Sequence, residues 1–268
     1  MSLDTASPRR WRRPPLIANP VLRWGLWLGL AVYLALALGT MEINWTRVAE
    51  GLPRGQRFLA AFFPPDFVSR ADAILDGILE SLWMTVISTV VGVALSVPFG
   101  LGAARNLAPR PVYYICRAVV AVSRTFPEII LAIFFVKFFG FGPFAGFVTL
   151  SVATVGFYAK LLAEDIEDMD AKQAEAVRAT GAGWFQWLNY AVQPQVMPRM
   201  IGLALYRLDI NFRESAVVGI VGAGGIGATL NTTFDRYEFD SAAAILLIII
   251  GIVMLAEYSS GYIRKWVQ

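Results

Sequence analysis

The chain has 268 residues, of which 57% are hydrophobic and 16% carry a charge, and its mean hydropathy is +0.57. Because a water-soluble domain needs about 25% charged residues, this composition excludes an ordinary soluble protein and indicates a protein that crosses a membrane several times. The chain has no histidine, the commonest metal ligand and general base, and its one cysteine, Cys116, permits no internal disulfide. We therefore expect no metal site and no catalytic residue in this chain.

The N-terminal segment is basic, and we interpret residues 1–21 as a cytoplasmic tail. An apolar run follows it that is too long for a signal peptide and lacks a small-residue cleavage site, so we expect a retained first helix. The net charge of +3 and the pI of about 9.1 are explained by arginines near anionic lipid, so no nucleic-acid partner is expected. The tail and its border contain Arg9, Arg10, Arg12, Arg13 and Arg23.

Six apolar segments are long enough for membrane helices, which need about 20 residues. Residues 22–268 are therefore predicted to form one all-α transmembrane domain. The predicted spans cover residues 22–41, 75–103, 112–137, 143–163, 197–219 and 240–263.

Lysine and arginine in the short loops set the expected orientation, because cytoplasmic loops are richer in these residues. With the N-terminus inside, six spans place both termini and the polar segment of residues 163–198 in the cytoplasm. The cytoplasmic side then has Arg105, Arg110, Lys172, Arg178, Arg264 and Lys265 in addition to the tail. The opposite side has Arg47, Arg54, Arg57, Arg70, Lys137 and Arg236.

The connection of residues 42–74 is predicted to lie outside the cell and to be interrupted by Pro53, Pro64 and Pro65. Its segment 57–63 contains three phenylalanines. Two interpretations of this segment stay open: it lies flat in the lipid interface, or it packs on the helix bundle.

Two predicted spans carry charges, which usually face a cavity, a partner charge or the bundle interior. In the third span, Arg117 and Arg124 are seven residues apart on one helical face, and Glu128 is expected one turn beyond Arg124. In the fifth span, Asp209 and Arg213 are four residues apart and can pair, whereas a second, roughly opposite stripe contains three polar residues. That stripe consists of Arg207, Asn211 and Glu214.

The polar segment of residues 163–198 is the main functional signal of the chain. Small or helix-favouring residues around Glu175 and Ala176 predict a short helix that fits closely into a cleft of another protein. Gly181 tolerates the left-handed conformation that ends such a helix, and Pro194 and Pro198 mark the entry to the fifth span. An ordinary amphipathic cytoplasmic loop is the alternative.

The spacing within this segment resembles the EAA loop of ABC importer permeases. Glu175-Ala176-Val177 is followed by Gly181 at the sixth position after the glutamate, and nine residues later by Ala191-Val192-Gln193-Pro194. The departures from the family pattern are Val177, Ala191 and Gln193. The resemblance implies that residues 164–196 form the loop that couples the permease to an ATPase, with Glu175, Ala176, Arg178, Thr180, Gly181 and Pro194 as its site residues.

Most of the chain from about residue 60 onward is similar to the PhnE-like permeases of phosphonate ABC importers. Seven strings in the same order carry this similarity: FFPPDF (62–67), SVPFGL (96–101), GPFAG (142–146), KLLAE (160–164), RATGA (178–182), PQVMP (194–198) and VVGIVGAGGIGATL (217–230). The similarity implies the type I ABC importer (MetI-like) permease fold in the bacterial inner membrane. It implies transport of a phosphonate, phosphite or phosphate anion.

The resemblance also implies the partners of the chain. These are two cytoplasmic ATP-binding subunits, a second copy of the permease, a periplasmic substrate-binding protein and membrane lipid. The chain has no G-x4-G-K-[ST] motif, so ATP and Mg²⁺ are expected only in the ATP-binding subunits and no cofactor is expected here.

A phosphonate crossing the membrane needs positive charge or amide donors. The candidate residues of the translocation pathway are Arg124, Glu128, Arg207, Asn211 and Arg213. Two interpretations of the arginines stay open: they line the route, or they only pair with nearby acids.

The glycine-rich segment GAGGIG (222–227) is not interpreted as a nucleotide fingerprint, because it follows an apolar helix and precedes an outer loop. Its glycines are expected to permit close backbone packing and a turn.

Two other functions compete with the importer. Glu128 and Asp209, as acids within predicted spans, permit a partner-independent secondary transporter or channel. A membrane enzyme has less support, because the sequence contains no nucleophile motif and no carboxylate cluster with metal-ligand spacing.

Overall fold

The computed structural model describes residue 17 and residues 19–41 and 44–267. The basic cluster from Arg9 to Arg13 lies outside the described residues, as do the side chains of Arg264 and Lys265. Within the described ranges the chain is helical and contains no strand, which confirms the predicted all-α class.

The helices of the described chain follow one another with short connections. They are α1 (Pro20–Thr40), α2 (Trp45–Ala60), α3 (Ala71–Ala103), α4 (Arg110–Thr125), α5 (Glu128–Phe139), α6 (Pro143–Glu167), α7 (Ala171–Ala179), α8 (Trp184–Trp187), α9 (Gln193–Val218), α10 (Gly225–Asp235) and α11 (Phe239–Val267). A π-helical turn, Leu188–Val192, joins α8 to α9, and a second, Gly219–Ala223, follows α9.

Four of the described helices, α1, α3, α6 and α11, are long and apolar enough to cross a membrane. The number rises to six if each of two bent pairs forms one span. One pair is α4 with α5, bent by 94°, and the other is the segment Trp184–Ala223 with α10, bent by 55°.

Residues 1–57 and residues 58–268 form two compact units. In the first unit, no residue of α1 is buried, although the helix is apolar around its circumference. Such a helix is compatible with lipid rather than with water. In the second unit, α3 packs along α6, and both helices contact α9.

The contacts among α3, α6 and α9 use small and hydroxyl-bearing residues, as in many membrane helix interfaces. Thr89 and Thr154 return hydrogen bonds to the carbonyl oxygens one turn earlier, at 2.7 Å and 2.6 Å. These side chains therefore satisfy their own polar groups while the helix backbones stay close together.

Arg117 and Arg124 lie in one helix, α4, as expected, but the helix ends before Glu128, so the prediction that Glu128 lies one turn beyond Arg124 in the same helix is wrong. Phe126 and Pro127 have extended backbone conformations between α4 and α5. Pro127 lacks a backbone N–H and disfavours a helical conformation of the residue before it, which ends α4. Glu128 consequently begins a new helix that points in another direction.

The connection before α3 was predicted to be interrupted by three prolines, but one of them lies inside a helix. Helix α2 runs through Pro53, whereas Pro64 and Pro65 lie in the irregular segment after the helix. For residues 57–63, contacts of two phenylalanine rings support the interpretation that the segment packs on the bundle. Phe58 and Phe62 lie 5.0 Å and 5.7 Å from the ring of Phe239, at the start of α11.

The glycine-rich segment forms a tight turn, as expected, but it leads into α10 rather than into an outer loop. Gly224 and Gly225 both have positive φ angles, of 80° and 72°. Glu80 and Ser81 of α3 cap the new helix: the Gly225 N–H donates to Glu80 Oε2 and the Ile226 N–H to Ser81 Oγ, both at 2.9 Å. The otherwise unpaired N–H groups of the first turn are thereby satisfied.

Close packing in this turn depends on Gly227. A Cβ atom at this position would lie 2.0 Å from the carbonyl oxygen of Ala216 in α9. We therefore expect Gly227→Ala to force the backbones of α9 and α10 apart, at a cost of about 1–3 kcal/mol of stability. The measurement is the apparent Tm of the purified protein in detergent.

Gly251→Ala is the matched control, because a Cβ atom there meets no atom within 4 Å. Its helix position predicts a gain of up to about 1 kcal/mol. Equal Tm values for the two variants would contradict the packing role of Gly227.

Candidate functional site

Helix α7 is the short helix predicted around Glu175, and side-chain and backbone hydrogen bonds define its two ends. Asp170 caps its start by accepting from the Lys172 N–H at 2.9 Å. At its end, Gly181 has a φ of 81° and its N–H donates to the Arg178 carbonyl at 3.0 Å. The predicted short helix with a left-handed glycine end is thus confirmed as a structural element.

Trp187 holds α7 on the rest of the bundle. Its side chain is 3% exposed, and its Nε1–H donates to the carbonyl oxygen of Ala174 at 3.0 Å. The guanidinium of Arg178 lies 4.1 Å from the centre of the Trp187 ring. The helix is therefore attached to the residues that lead directly into α9.

A second connection joins the start of α7 to α9. The backbone N–H of Asp170 donates to Oε1 of Gln195 at 2.8 Å, and Gln195 donates from Nε2 to the Ala191 carbonyl at 2.8 Å. The start and the middle of α7 are therefore bonded to the segment of residues 187–195. A displacement of α7 would be transmitted to the first turn of α9.

The opposite face of α7 is open in the described chain. Ala174 is buried and Val177 is partly buried, whereas the predicted coupling residues of this helix are exposed. The exposed set is Glu175, Ala176, Arg178, Thr180 and Gly181. Pro194 is also exposed, but it lies in the first turn of α9, where a missing N–H is tolerated.

A shallow depression adjoins this face. It is lined by Ala176, Val177, Thr180, Gly181, Ala182, Gln186 and Tyr190. Two aromatic side chains beside it, Phe185 and Tyr190, are each 74% exposed. Small residues bordered by exposed aromatic rings are suited to receive part of another protein.

Ion pairs tie the neighbouring helix ends together. Arg117 donates to Glu167 at 2.8 Å and to the Ala103 carbonyl at 2.9 Å, which joins α4 to α6 and α3. Arg199 of α9 lies 2.7 Å from Asp165 of α6. Arg117 therefore has a bridging role at this end of the bundle, which we call the α7 end.

The break between α4 and α5 borders a pocket of about 240 Å³ that three of the predicted pathway residues line. Arg124 ends α4, Glu128 begins α5 and Arg207 reaches the pocket from α9. The ring of Phe157 lies near both arginines, with its centre 6.0 Å from the guanidinium carbon of Arg124 and 5.4 Å from that of Arg207.

Arg207 and Arg124 differ in their surroundings. Arg207 is 3% exposed and donates to Thr154 Oγ1 at 3.1 Å and to Glu214 Oε2 at 3.2 Å. Arg124 is exposed in the described chain and contacts the face of Phe157. The first arginine is thus held by two partners, whereas the second presents its charge to the pocket.

Asn211 lies beside this pocket but does not line it. Its side chain is fully buried and donates to Thr89 Oγ1 at 2.8 Å and to Thr154 Oγ1 at 3.0 Å. The amide therefore links α9 to both α3 and α6.

Arg213 lies on another side of α9, where it donates to Asp209 at 2.9 Å. The predicted pairing of these two residues is confirmed, and so is their separation from the stripe of Arg207 and Glu214. Asp209 faces a pocket formed with α3 and α11 rather than the pocket of Arg124. The five predicted pathway residues therefore lie in three different surroundings.

At the opposite end of the bundle, which we call the α10 end, Arg70 donates from both Nε and Nη2 to the carboxylate of Glu238. These hydrogen bonds hold the pKa of Glu238 below its ordinary value. Hydrogen bonds from the Ser69 side chain and from backbone N–H groups similarly lower the pKa of Asp66.

Several site residues could not be found from the sequence pattern. Thr154, Phe157 and Trp187 act across helix boundaries, and a single sequence contains no signal for such contacts. Glu80 did offer a signal, because it is an acid within a predicted span. Among the described residues, no group of three histidine, cysteine or acidic side chains is placed to hold a metal ion.

Known proteins share this arrangement. Residues 96–268 match the family model described as binding-protein-dependent transport system inner membrane component. The phosphate-import permease protein PhnE of Mycolicibacterium smegmatis is 37% identical over 270 residues, which are 99% of this chain and 51% of that relative. The chain thus spans about half the length of this relative.

A second relative is covered more completely. The phosphite transport system permease protein PtxC of Stutzerimonas stutzeri is 39% identical over 224 residues, which are 83% of this chain and 81% of the relative. Among solved structures, a chain of the inward-facing MetNI methionine ABC transporter matches with a TM-score of 0.65 at 26% identity. The match covers 73% of this chain and 96% of that chain.

The attachment of α7 is open to a direct test with Trp187→Phe. The substitution keeps an aromatic ring but removes the hydrogen bond to Ala174, which is worth about 0.5–1.5 kcal/mol. We expect amide hydrogen exchange in residues 171–180 to become several-fold faster, while exchange in α3 and α6 is unchanged. Mass spectrometry of the peptic fragments measures both.

Trp184→Phe is the control, because Trp184 is 50% exposed and precedes the same π-helical turn. An equal increase in exchange for both variants would contradict the specific role of Trp187.

Proposed function

Because the chain belongs to the family of binding-protein-dependent transport system inner membrane components, we propose that it is the permease subunit of an ATP-driven importer of phosphonate, phosphite or phosphate. The observation that carries the proposal is helix α7, a short exposed helix that is bonded at its start to Gln195 in α9 and at Ala174 to Trp187 in α8. The names of the relatives, permeases for phosphate and phosphite, support the class of anion. ATP hydrolysis belongs to a separate subunit.

The proposed orientation puts the α7 end in the cytoplasm and the α10 end outside the cell. Its support is the distribution of positive charge, which favours the cytoplasmic side. Loops at the α7 end contain Arg105, Arg110, Lys172 and Arg178, and an N-terminal tail rich in arginine is proposed to lie on the same side. Both termini are then cytoplasmic.

The proposed partners follow from this orientation. Two ATP-binding subunits contact the exposed face of α7 in two copies of the chain, and a periplasmic binding protein delivers the anion to the α10 end. The depression between Gly181 and Tyr190 is the surface that receives the ATP-binding subunit. The lipid of the inner membrane surrounds the spans.

The mechanism is alternating access in which a movement of α7 displaces α9. Closure of the ATP-binding subunits moves α7, and the bonds of Trp187 and Gln195 transmit the movement to the first turn of α9. Helix α9 also carries Arg207, Asn211 and Arg213, so its displacement changes the polar contacts inside the membrane. The pathway then opens alternately to the outside and to the cytoplasm.

Within the membrane, we assign the passage of the anion to the side of α9 that bears the pocket of Arg124 and Glu128. Arg124 is exposed to the pocket and supplies the positive charge that a tetrahedral oxyanion needs. Arg207 supports the pocket wall through Thr154 and Glu214.

The coupling role of α7 predicts the effect of two substitutions on transport. Glu175→Lys reverses a charge on the exposed face, and Gly181→Arg places a long side chain in the depression at a φ of 81°. We expect both to reduce ATP-dependent uptake strongly in liposomes that contain the permease, the ATP-binding subunit and the binding protein. Labelled phosphite and methylphosphonate are the transported probes.

Gly183→Ala is the control in the same loop, because Gly183 has a φ of −67° and a Cβ atom there would lie 3.7 Å from Gln186. It should transport like the wild type. Wild-type uptake by correctly assembled complexes of Glu175→Lys and Gly181→Arg would contradict the coupling assignment. Uptake by the permease alone, without ATP, would instead favour a secondary transporter.

The two arginines at the pocket should respond differently to substitution. Arg124→Gln should leave the apparent Tm unchanged and reduce uptake several-fold, and Arg124→Lys should retain part of it because the charge is kept. Arg207→Gln should destabilise the protein by about 3–5 kcal/mol, since it leaves the partly buried Glu214 without its partner.

The double variant Arg207→Gln/Glu214→Gln removes both charges and should recover most of the stability and of the uptake. Uptake and thermal unfolding are measured on the same preparations. A stable double variant without uptake would show that the anion contacts Arg207 directly.

A further inference from the structure

Helix α2 has an exposed apolar stripe along its whole length. Trp45, Val48, Leu52 and Leu59 lie three, four and seven residues apart, which places them on one helical face. Their exposed fractions are 72%, 49%, 69% and 64%. An aromatic ring and three aliphatic side chains on one face of a 16-residue helix require an apolar neighbour.

The opposite face of α2 is charged. Arg47, Glu50, Arg54 and Arg57 lie there, and all four side chains are exposed. Glu50 pairs with Arg54 at 3.0 Å, so three positive charges and one negative charge leave the face with a charge of +2. The helix therefore divides into an apolar half and a basic half, as helices that lie in a membrane interface do.

The chain keeps the start of α2 close to the membrane boundary. Helix α1, a candidate span, ends at Thr40, and only residues 41–44 separate it from Trp45. Such a connection spans at most about 17 Å even when fully extended.

The last turn of α2 lies at a membrane boundary as well. The ring of Phe58 is 5.0 Å from that of Phe239, the residue at which the span in α11 begins. Phe62, just after the helix, is 5.1 Å from Phe58 and stacks on the same ring. A helix of about 24 Å whose two ends are near the boundary lies along the membrane surface rather than extending away from it.

We propose that α2 lies flat in the lipid interface, with its apolar stripe in the acyl boundary and its three arginines bound to lipid phosphates. The occupant of this surface is the membrane itself. The argument rests on charge complementarity with anionic headgroups and on continuity with the lipid-facing surface of α1, which has no buried residue. It does not depend on which anion is transported.

The depth of individual side chains in the membrane tests this placement. Single cysteines replace Val48, Leu52 or Glu50 in a Cys116→Ser background and carry a nitroxide label. The protein is reconstituted in vesicles of phosphatidylethanolamine and phosphatidylglycerol. Collision rates with oxygen, which concentrates in lipid, and with a water-soluble nickel chelate are measured by electron paramagnetic resonance.

We expect the ratio of oxygen to chelate collisions to be several-fold higher at positions 48 and 52 than at position 50, the control on the charged face. Equal access of the chelate to all three positions would place α2 in water and overturn the proposal. Protection of positions 48 and 52 from both reagents would assign the stripe to a protein partner, such as a second copy of the chain, and would also overturn it.

The role of the arginines is tested with Arg47→Gln/Arg54→Gln/Arg57→Gln in the protein labelled at position 52. All three side chains are exposed, so the variant should elute from size exclusion like the parent. We expect the collision ratio to fall in vesicles that contain phosphatidylglycerol. An unchanged ratio would overturn phosphate binding by these arginines.

Discussion

The scarcity of water inside a bilayer constrains this structure more than any other condition, because buried polar groups there need partners within the protein. Thr154 of α6 illustrates how the chain provides such partners. Its hydroxyl bonds to its own helix and accepts from both Arg207 and Asn211 of α9, and Asn211 also reaches Thr89 of α3. One cluster of side chains thus fixes the relative positions of the three central helices.

Helix α9 connects this cluster to both ends of the bundle. At its start, the π-helical turn and Gln195 join it to α7. At its end, it passes into the glycine turn whose next helix is capped by Glu80 and Ser81 of α3. A force applied to α7 therefore acts on the helix that holds the buried polar network. Because tightly packed contacts change in discrete steps, such a helix is suited to switch between two positions.

Local chemistry explains which features were predictable from the sequence. The glycine end of α7 and the pair of Asp209 and Arg213 follow from spacings within a single helix or turn, and both were predicted correctly. The break at Phe126 was missed although Pro127 was visible, because the apolar run around it favoured one continuous span. Contacts between different helices, such as Trp187 with Ala174 or Arg207 with Thr154, depend on packing that a single sequence does not show as a recognisable pattern.

The break between α4 and α5 is the structural basis of the proposed polar route within the membrane. Non-helical backbone at membrane depth persists only where it is buried in protein or borders a water-filled cavity, and this break borders the pocket of Arg124 and Glu128. The pocket is lined by Arg124, Glu128 and Arg207, and Arg207 is paired with Glu214. On the proposed route an anion would therefore find one exposed guanidinium, and weak binding there would favour release on the other side. A site that bound the anion tightly would hold it in the membrane and slow transport.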